Sequence, residues 1–267
     1  MKERQIFFHV GLGKTASTYL QQSIFPKLDG VKYISTHRYK KSKTIIPQFH
    51  ADKILVSREF DRQFEDEVRW FTQDFPDARI IIVFRRHDEW IASQYKRHVK
   101  NGFVGSFEAF LDLENDDGFW ETKELDYMRK LDVIEEYSNH PPLILIYDDL
   151  RADPESFVRK ITDYMGVLPL KKVDLKKRHQ SFSEKQLKVL RAFTSKYIRA
   201  MPHNYRNKVK HWLLYRPVWA FYHLILYVAR FVPENWITDT PLIDEHILNR
   251  VREKFLQDWS KLKQRTE

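Results

Sequence analysis

Alternating strand and helix signals predict an α/β fold, a three-layer sandwich in which a central parallel sheet lies between helices. Two observations carry that prediction. The strand-like segments are short continuous runs of Ile, Val, Phe and Leu, the pattern of strands buried on both faces, and helix-like stretches fill the intervals between them. A glycine-marked turn also follows the first strand and opens directly into a helix, as at the carboxyl edge of a parallel sheet, where anions are bound. Taken in order, strands are expected over residues 5–10, 31–35, 53–57, 79–84 and 143–147. Helices are expected over 15–25, closed by Pro26; 62–75, closed by Pro76; 88–100, ending before Gly102; and 154–165, which begins on Pro154 and stops at Gly166. From Ser183 onward no strand is expected and the chain reads as helices. A core over residues 1–185 and a helical region over 186–267, packed on or continuing the same domain, follow from this pattern. A length of 267 residues suits one α/β domain with a sizeable core.

Composition narrows the chemistry. The net charge of +9 fits an anionic cofactor, an anionic acceptor or a membrane surface. No zinc-ligand spacing, helix-turn-helix signal or RNP-like aromatic motif appears, so nucleic acid is not an expected partner. With no cysteine, disulfides, a thiolate nucleophile and cysteine metal sites are excluded. The turn begins ten residues from Met1, which leaves no room for a signal peptide or an amino-terminal anchor, and a cytoplasmic enzyme is expected.

The residues after the first strand read GLGKTASTYL. Backbone N–H groups at a helix start point outward, and Lys14 adds a full charge at the same spot, an arrangement that cradles phosphate or sulfate. Gly11 and Gly13 are expected to allow the tight turn. An ATP- or GTP-binding P-loop would need a glycine five positions before Gly13, where this chain has Phe8. The segment KTASTYL resembles the phosphosulfate-binding loop of the sulfotransferases, in which lysine is followed by Ser/Thr, glycine, Ser/Thr, Thr and an aromatic. Ala16 departs from that pattern. If its position requires positive φ, Ala16 is strained; if it lies in the first helical turn, alanine is harmless.

Two further stretches resemble the same family. In RIIIVFRRHDEWIAS an apolar strand delivers Arg85, and Ser93 follows eight residues later on a helix, similar to the family's 3′-phosphate site. A forked guanidinium and a hydroxyl suit a second phosphate. The segment LILIYDDLRADPESF is similar to a late strand, turn and Asp-Pro helix of bacterial and glycan sulfotransferases, with a structural role expected. Read instead as a magnesium-binding carboxylate pair, Asp148 and Asp149 keep a nucleotide-dependent kinase open as the alternative.

The resemblance implies a P-loop NTPase-like sulfotransferase fold. It also implies transfer of a sulfuryl group from 3′-phosphoadenosine-5′-phosphosulfate to a hydroxyl or amine, without a metal. Gly13, Lys14, Thr15, Ala16, Ser17, Thr18, Tyr19, Arg85, Ser93 and Arg178 are the implied nucleotide contacts. Lys14 stabilises the leaving group, Tyr19 stacks on adenine or packs in the core, and Arg178 belongs to a basic loop. For the general base the strand end ILVSREF points to Glu59, with His50 and His37 as the alternatives. His9 reads as a packed core histidine or a group orienting the loop.

The stretch 211–232, HWLLYRPVWAFYHLILYVARFV, is the most apolar in the chain. Arg216, Pro217, His223 and Arg230 argue against a membrane span and favour a helix lying at the interface; a buried helix pair, an acceptor pocket or a dimer face are the other readings. The expected acceptor is accordingly a small molecule, a lipid or lipid-linked molecule or a glycan, met at the inner membrane surface. A basic membrane-surface adaptor without catalytic activity is the non-enzymatic alternative.

Overall fold

The computed structural model describes residues 4–170, 182–197 and 208–266. By packing, these fall into two compact units: one drawn from Met1–Trp90, Lys123–Arg178 and Lys254–Glu267, the other from Ile91–Thr122 and His179–Glu253.

The first unit holds a five-stranded, wholly parallel sheet. Its strands are β1 (Gln5–Gly11), β2 (Val31–Ile34), β3 (Lys53–Glu59), β4 (Arg79–Phe84) and β5 (Leu143–Ile146), in the spatial order β2-β3-β1-β4-β5. Because successive side chains in a strand point to opposite faces, the apolar runs supply two cores at once. Phe8, Val10, Ile54, Val56, Ile80 and Ile82 pack on one face with the helices Phe64–Thr72, Tyr127–Tyr137 and Leu256–Gln264. Phe7, Leu55, Ile81, Val83 and Leu145 pack on the other, against the helical segment after the first turn and the helix Pro154–Met165. All five strands lie where the sequence places them, although β1 and β3 run further, to Gly11 and Glu59.

Two local findings differ from expectation. The first helix begins at Ser17 and not at Thr15, continues as a π-helical turn over Leu20–Ile24 and ends in a 3-10 turn that takes up Pro26. The helix Tyr127–Tyr137 has no counterpart in the sequence reading. Its signal was present: Asp126 caps it by accepting the Arg129 N–H at 2.8 Å, and Tyr127, Leu131 and Ile134 form one buried stripe.

The second unit is helical among its described residues. An aromatic cluster gathers Phe103, Phe107 and Phe110 around Tyr95, whose hydroxyl donates to the Gly105 carbonyl at 2.8 Å and accepts from Arg191 at 2.7 Å. Helix Glu184–Tyr197 packs beside helix Arg216–Val228, and the Gln186 amide donates to the Leu226 carbonyl at 2.7 Å.

Candidate functional site

The carboxyl edge of β3, β1 and β4 assembles the site of the first unit. Gly11 closes β1 and is level with Glu59 on β3 and Val83 on β4. Adjacent strands lie about 4.8 Å apart, so Glu59 and the first residues after β4 flank the turn that follows Gly11. A β-carbon on Gly11 would lie 2.4 Å from Ser17 Oγ, so the absence of a side chain there lets the helix start close down on the strand end. The left-handed conformations of the turn fall elsewhere than expected, on Lys14 (φ 70°) and Ala16 (φ 67°). Gly11 therefore serves close approach, and the sharp turn is made by two residues that carry β-carbons, at a cost of roughly 1–2 kcal/mol each.

Hydrogen bonds hold the turn in that shape. Thr15 Oγ1 donates to the Leu12 carbonyl at 2.7 Å and Ser17 Oγ to the same oxygen at 3.2 Å. Both hydroxyls are buried and face inward. Any anion held here meets Thr15 and Ser17 through their backbone N–H groups, whereas Lys14 is exposed and Thr18 half-exposed. The Trp90 indole N–H donates to the Gly13 carbonyl at 2.8 Å, and the Gly13 N–H donates to Asp61 Oδ1 at 3.1 Å. Tyr19 is half-buried and packs against the apolar core on the face of the sheet that holds Phe7, Leu55 and Ile81.

Beneath the turn, His9 is fully buried, with Nδ1 2.8 Å from Ser57 Oγ, an oxygen that also accepts from the Gln21 amide at 3.0 Å. Burial pushes the His9 imidazole down to about 3, so it stays neutral. It is a core histidine bound to the strand next door. Lys130, on the helix Tyr127–Tyr137, is also buried, and burial lowers its pKa against the opposing pull of Glu124, Asp126 and Asp61. Neither Asp61 nor Lys130 stood out in the sequence. Asp61 lies two residues beyond a strand-end glutamate already noted, which was the only local signal.

At the end of β4, Arg85 reaches Glu89 through Nε at 3.1 Å and Nη2 at 2.9 Å, and its guanidinium lies 4.7 Å over the Tyr147 ring. Arg86 pairs with Asp88 and Glu89, and Arg151 approaches Glu89 at 3.8 Å. Three arginines thus surround one carboxylate. Ser93 lies half-buried on the helix His87–Lys100 and belongs to the second unit. Arg178 lies outside the described residues.

The remaining candidates separate by position. His37 is exposed in the 3-10 turn just past the carboxyl end of β2. His50 precedes β3, at the opposite end of that seven-residue strand from Glu59, about 20 Å away along its length. Asp148 and Asp149 sit in the first turn of the helix after β5, partnered by Arg151 and Lys160. Since β4 intervenes between β5 and β1, they stand two strand spacings, about 10 Å, from the turn. Among the described residues no group of three or more His, Asp or Glu is arranged to hold a metal ion.

Comparison with known proteins bears on this arrangement. Residues 63–171 match the model of a sulfotransferase family. The chain is 28% identical over 135 residues to sulfotransferase 1A1 of Rattus norvegicus and 29% identical over 133 residues to that of Mus musculus, covering 48% and 47% of this chain. The matched region spans 44% of the length of each of these relatives. Among solved structures, a sulfotransferase from Alicyclobacillus acidocaldarius superposes with a TM-score of 0.54 at 14% identity, over 72% of this chain and 92% of that one, a likeness of fold.

Proposed function

We propose that the chain is a sulfotransferase, the family whose model its residues 63–171 match, and that it transfers a sulfuryl group from 3′-phosphoadenosine-5′-phosphosulfate to a hydroxyl or amine of a lipid, lipid-linked or glycan acceptor. The observation that carries the reading is the turn after β1. Lys14 is an exposed residue of a strand-to-helix turn whose Thr15 and Ser17 hydroxyls bond inward to Leu12, a cation beside a helix start of the kind that binds anions through its N–H groups. That donor set fits a sulfated phosphate, and the arginine cluster around Glu89 at the neighbouring strand end fits a second phosphate. Arg85 is the residue assigned to it, with Ser93 and Arg178 as further contacts.

When bound, the donor supplies an activated sulfuryl group; the protein's work is positioning and charge stabilisation. Lys14 holds the charge that grows on the departing phosphate oxygen. The N–H groups from Thr15 to Thr18 orient the same oxygens. Glu59, at the end of β3 beside Gly11, accepts the proton from the acceptor hydroxyl as its oxygen bonds to sulfur. His37 is the second candidate for this role. A lipid acceptor is favoured by the apolar, basic carboxyl-terminal stretch.

Thermal unfolding with 3′-phosphoadenosine-5′-phosphate tests the reading. At a hundredfold excess over Kd the stabilisation is about 2.7 kcal/mol, an increase of several degrees in Tm, and it requires no metal. A response to ATP with magnesium alone would sink the proposal in favour of a kinase. Glu59→Gln lowers turnover and leaves the affinity for this nucleotide within about twofold; unchanged turnover moves the base to His37.

A further inference from the structure

We infer that the second unit docks flat onto an anionic bilayer through the outward face of its 208–236 segment. Of the sixteen large apolar side chains most exposed among the described residues, eleven fall between positions 209 and 236, with Trp212 68%, Phe231 75% and Trp236 78% exposed. Soluble surfaces scatter such side chains singly; a contiguous group marks an interaction surface. The helix Arg216–Val228 explains why the patch cannot be tucked inward by a small rotation. Its inner face is already used: Tyr222, Leu226 and the following Ala229 are buried, and Tyr222 lies so close to Gly102 that a β-carbon there would sit 2.6 Å from the ring. A second apolar stripe, Leu224, Tyr227, Val228 and Phe231, remains outside.

Charge selects the occupant. Within the 208–236 segment the sequence contains four Lys or Arg (Lys208, Lys210, Arg216 and Arg230) against one acidic residue, Glu234. A second copy meeting this surface about a two-fold axis would bring that positive charge against itself, whereas anionic headgroups complement it. The basic side chains are also placed as headgroup anchors beside aromatic rings: Arg230 lies 5.4 Å from the Tyr227 ring and Arg216 5.9 Å from that of Trp219. No helix among the described residues is long and apolar enough to cross a membrane, so the segment lies in the interface plane. The inference deepens the lipid-acceptor reading above and rests on the same carboxyl-terminal stretch.

Co-sedimentation of the full chain with vesicles of phosphatidylglycerol and phosphatidylcholine, at low and high salt, tests it. Binding is expected at low salt, weakened by salt and by omission of phosphatidylglycerol. Leu224→Glu with Phe231→Glu should reduce binding at least tenfold. Arg216→Gln and Arg230→Gln should each reduce it about fivefold, the factor for one basic residue at an anionic surface. All four positions are exposed, so the thermal unfolding of each variant should match the parent. Absence of binding at low salt, or a lipid-free dimer that the same substitutions dissociate, would overturn the proposal. Affinity for 3′-phosphoadenosine-5′-phosphate, measured on the same variants, reports on the nucleotide site separately. Its retention with vesicle binding lost leaves the transferase reading standing on its own.

Discussion

Lys14 and Ala16, on either side of Thr15, hold left-handed backbone, and the consequences for the two positions differ. Alanine at the position where the related loops carry glycine is under strain of about 1–2 kcal/mol. Ala16→Gly removes it while adding about 0.5–1 kcal/mol of unfolded-chain entropy, so a net stabilisation of up to about 1.5 kcal/mol is expected in urea unfolding. A midpoint unchanged or lowered would mean that the surrounding hydrogen bonds compensate the strain. Lys14→Ala exchanges one β-carbon-bearing residue for another at the same φ, so stability should hold while turnover falls by about 10²-fold or more through loss of the leaving-group charge. Turnover within a few-fold of the parent would remove Lys14 from the mechanism.

Between elements, the join of β1 to the first helix is set by one missing side chain. Gly11→Ala places a methyl group 2.4 Å from Ser17 Oγ and 3.1 Å from His9 Cε1, with little room to move, since His9 and Ser17 are both buried and hydrogen-bonded. Overpacking of this kind costs about 1–3 kcal/mol and should weaken nucleotide affinity in parallel, because the helix start must retreat from the strand. Pairing it with Ser17→Gly, which empties the contested space, should recover part of the lost stability. If Gly11→Ala alone leaves both midpoint and affinity unchanged, the close approach is not what shapes the cradle. Glycine in such a turn reads from sequence as conformational freedom. Here the strand conformation of Gly11 and the positive φ on its neighbours show that space was the requirement.

Across the whole molecule, the last helix returns to the sheet unit and is tied there by Asp258. That carboxylate lies 2.8 Å from His87 Nε2 and accepts the N–H groups of Tyr127 at 3.1 Å and Met128 at 3.0 Å, while His87 stacks between Tyr127 and Phe255. Burial pushes the Asp258 carboxyl up, but the bonds from His87, Met128 and Tyr127 outweigh it and hold the group below the usual carboxylate range. Because the folded value is the lower one, the unfolded chain takes up its proton first as pH falls. The contribution is complete at neutral pH and lost from about pH 4 downward. Asp258→Ala should cost about 2–4 kcal/mol at pH 7, the loss of charged hydrogen bonds and of a helix-start acceptor, and the difference from the parent should shrink in acid. A pH-independent difference would assign the effect to packing alone. The sequence by itself determined the five strands, the position of the glycine turn after the first, Arg85 at the end of the fourth and Glu59 at the end of the third. Apolar runs and Gly or Pro punctuation are local signals, readable within a dozen residues. Only the tertiary structure decided that the Thr15 and Ser17 hydroxyls turn inward to Leu12, that Asp61 and Trp90 clamp Gly13, that Glu89 draws three arginines together and that Asp258 closes on His87. Most of these contacts join residues far apart in the chain, or depend on backbone angles set by such neighbours, and a pairing of that kind leaves no period or spacing in the sequence from which it can be read.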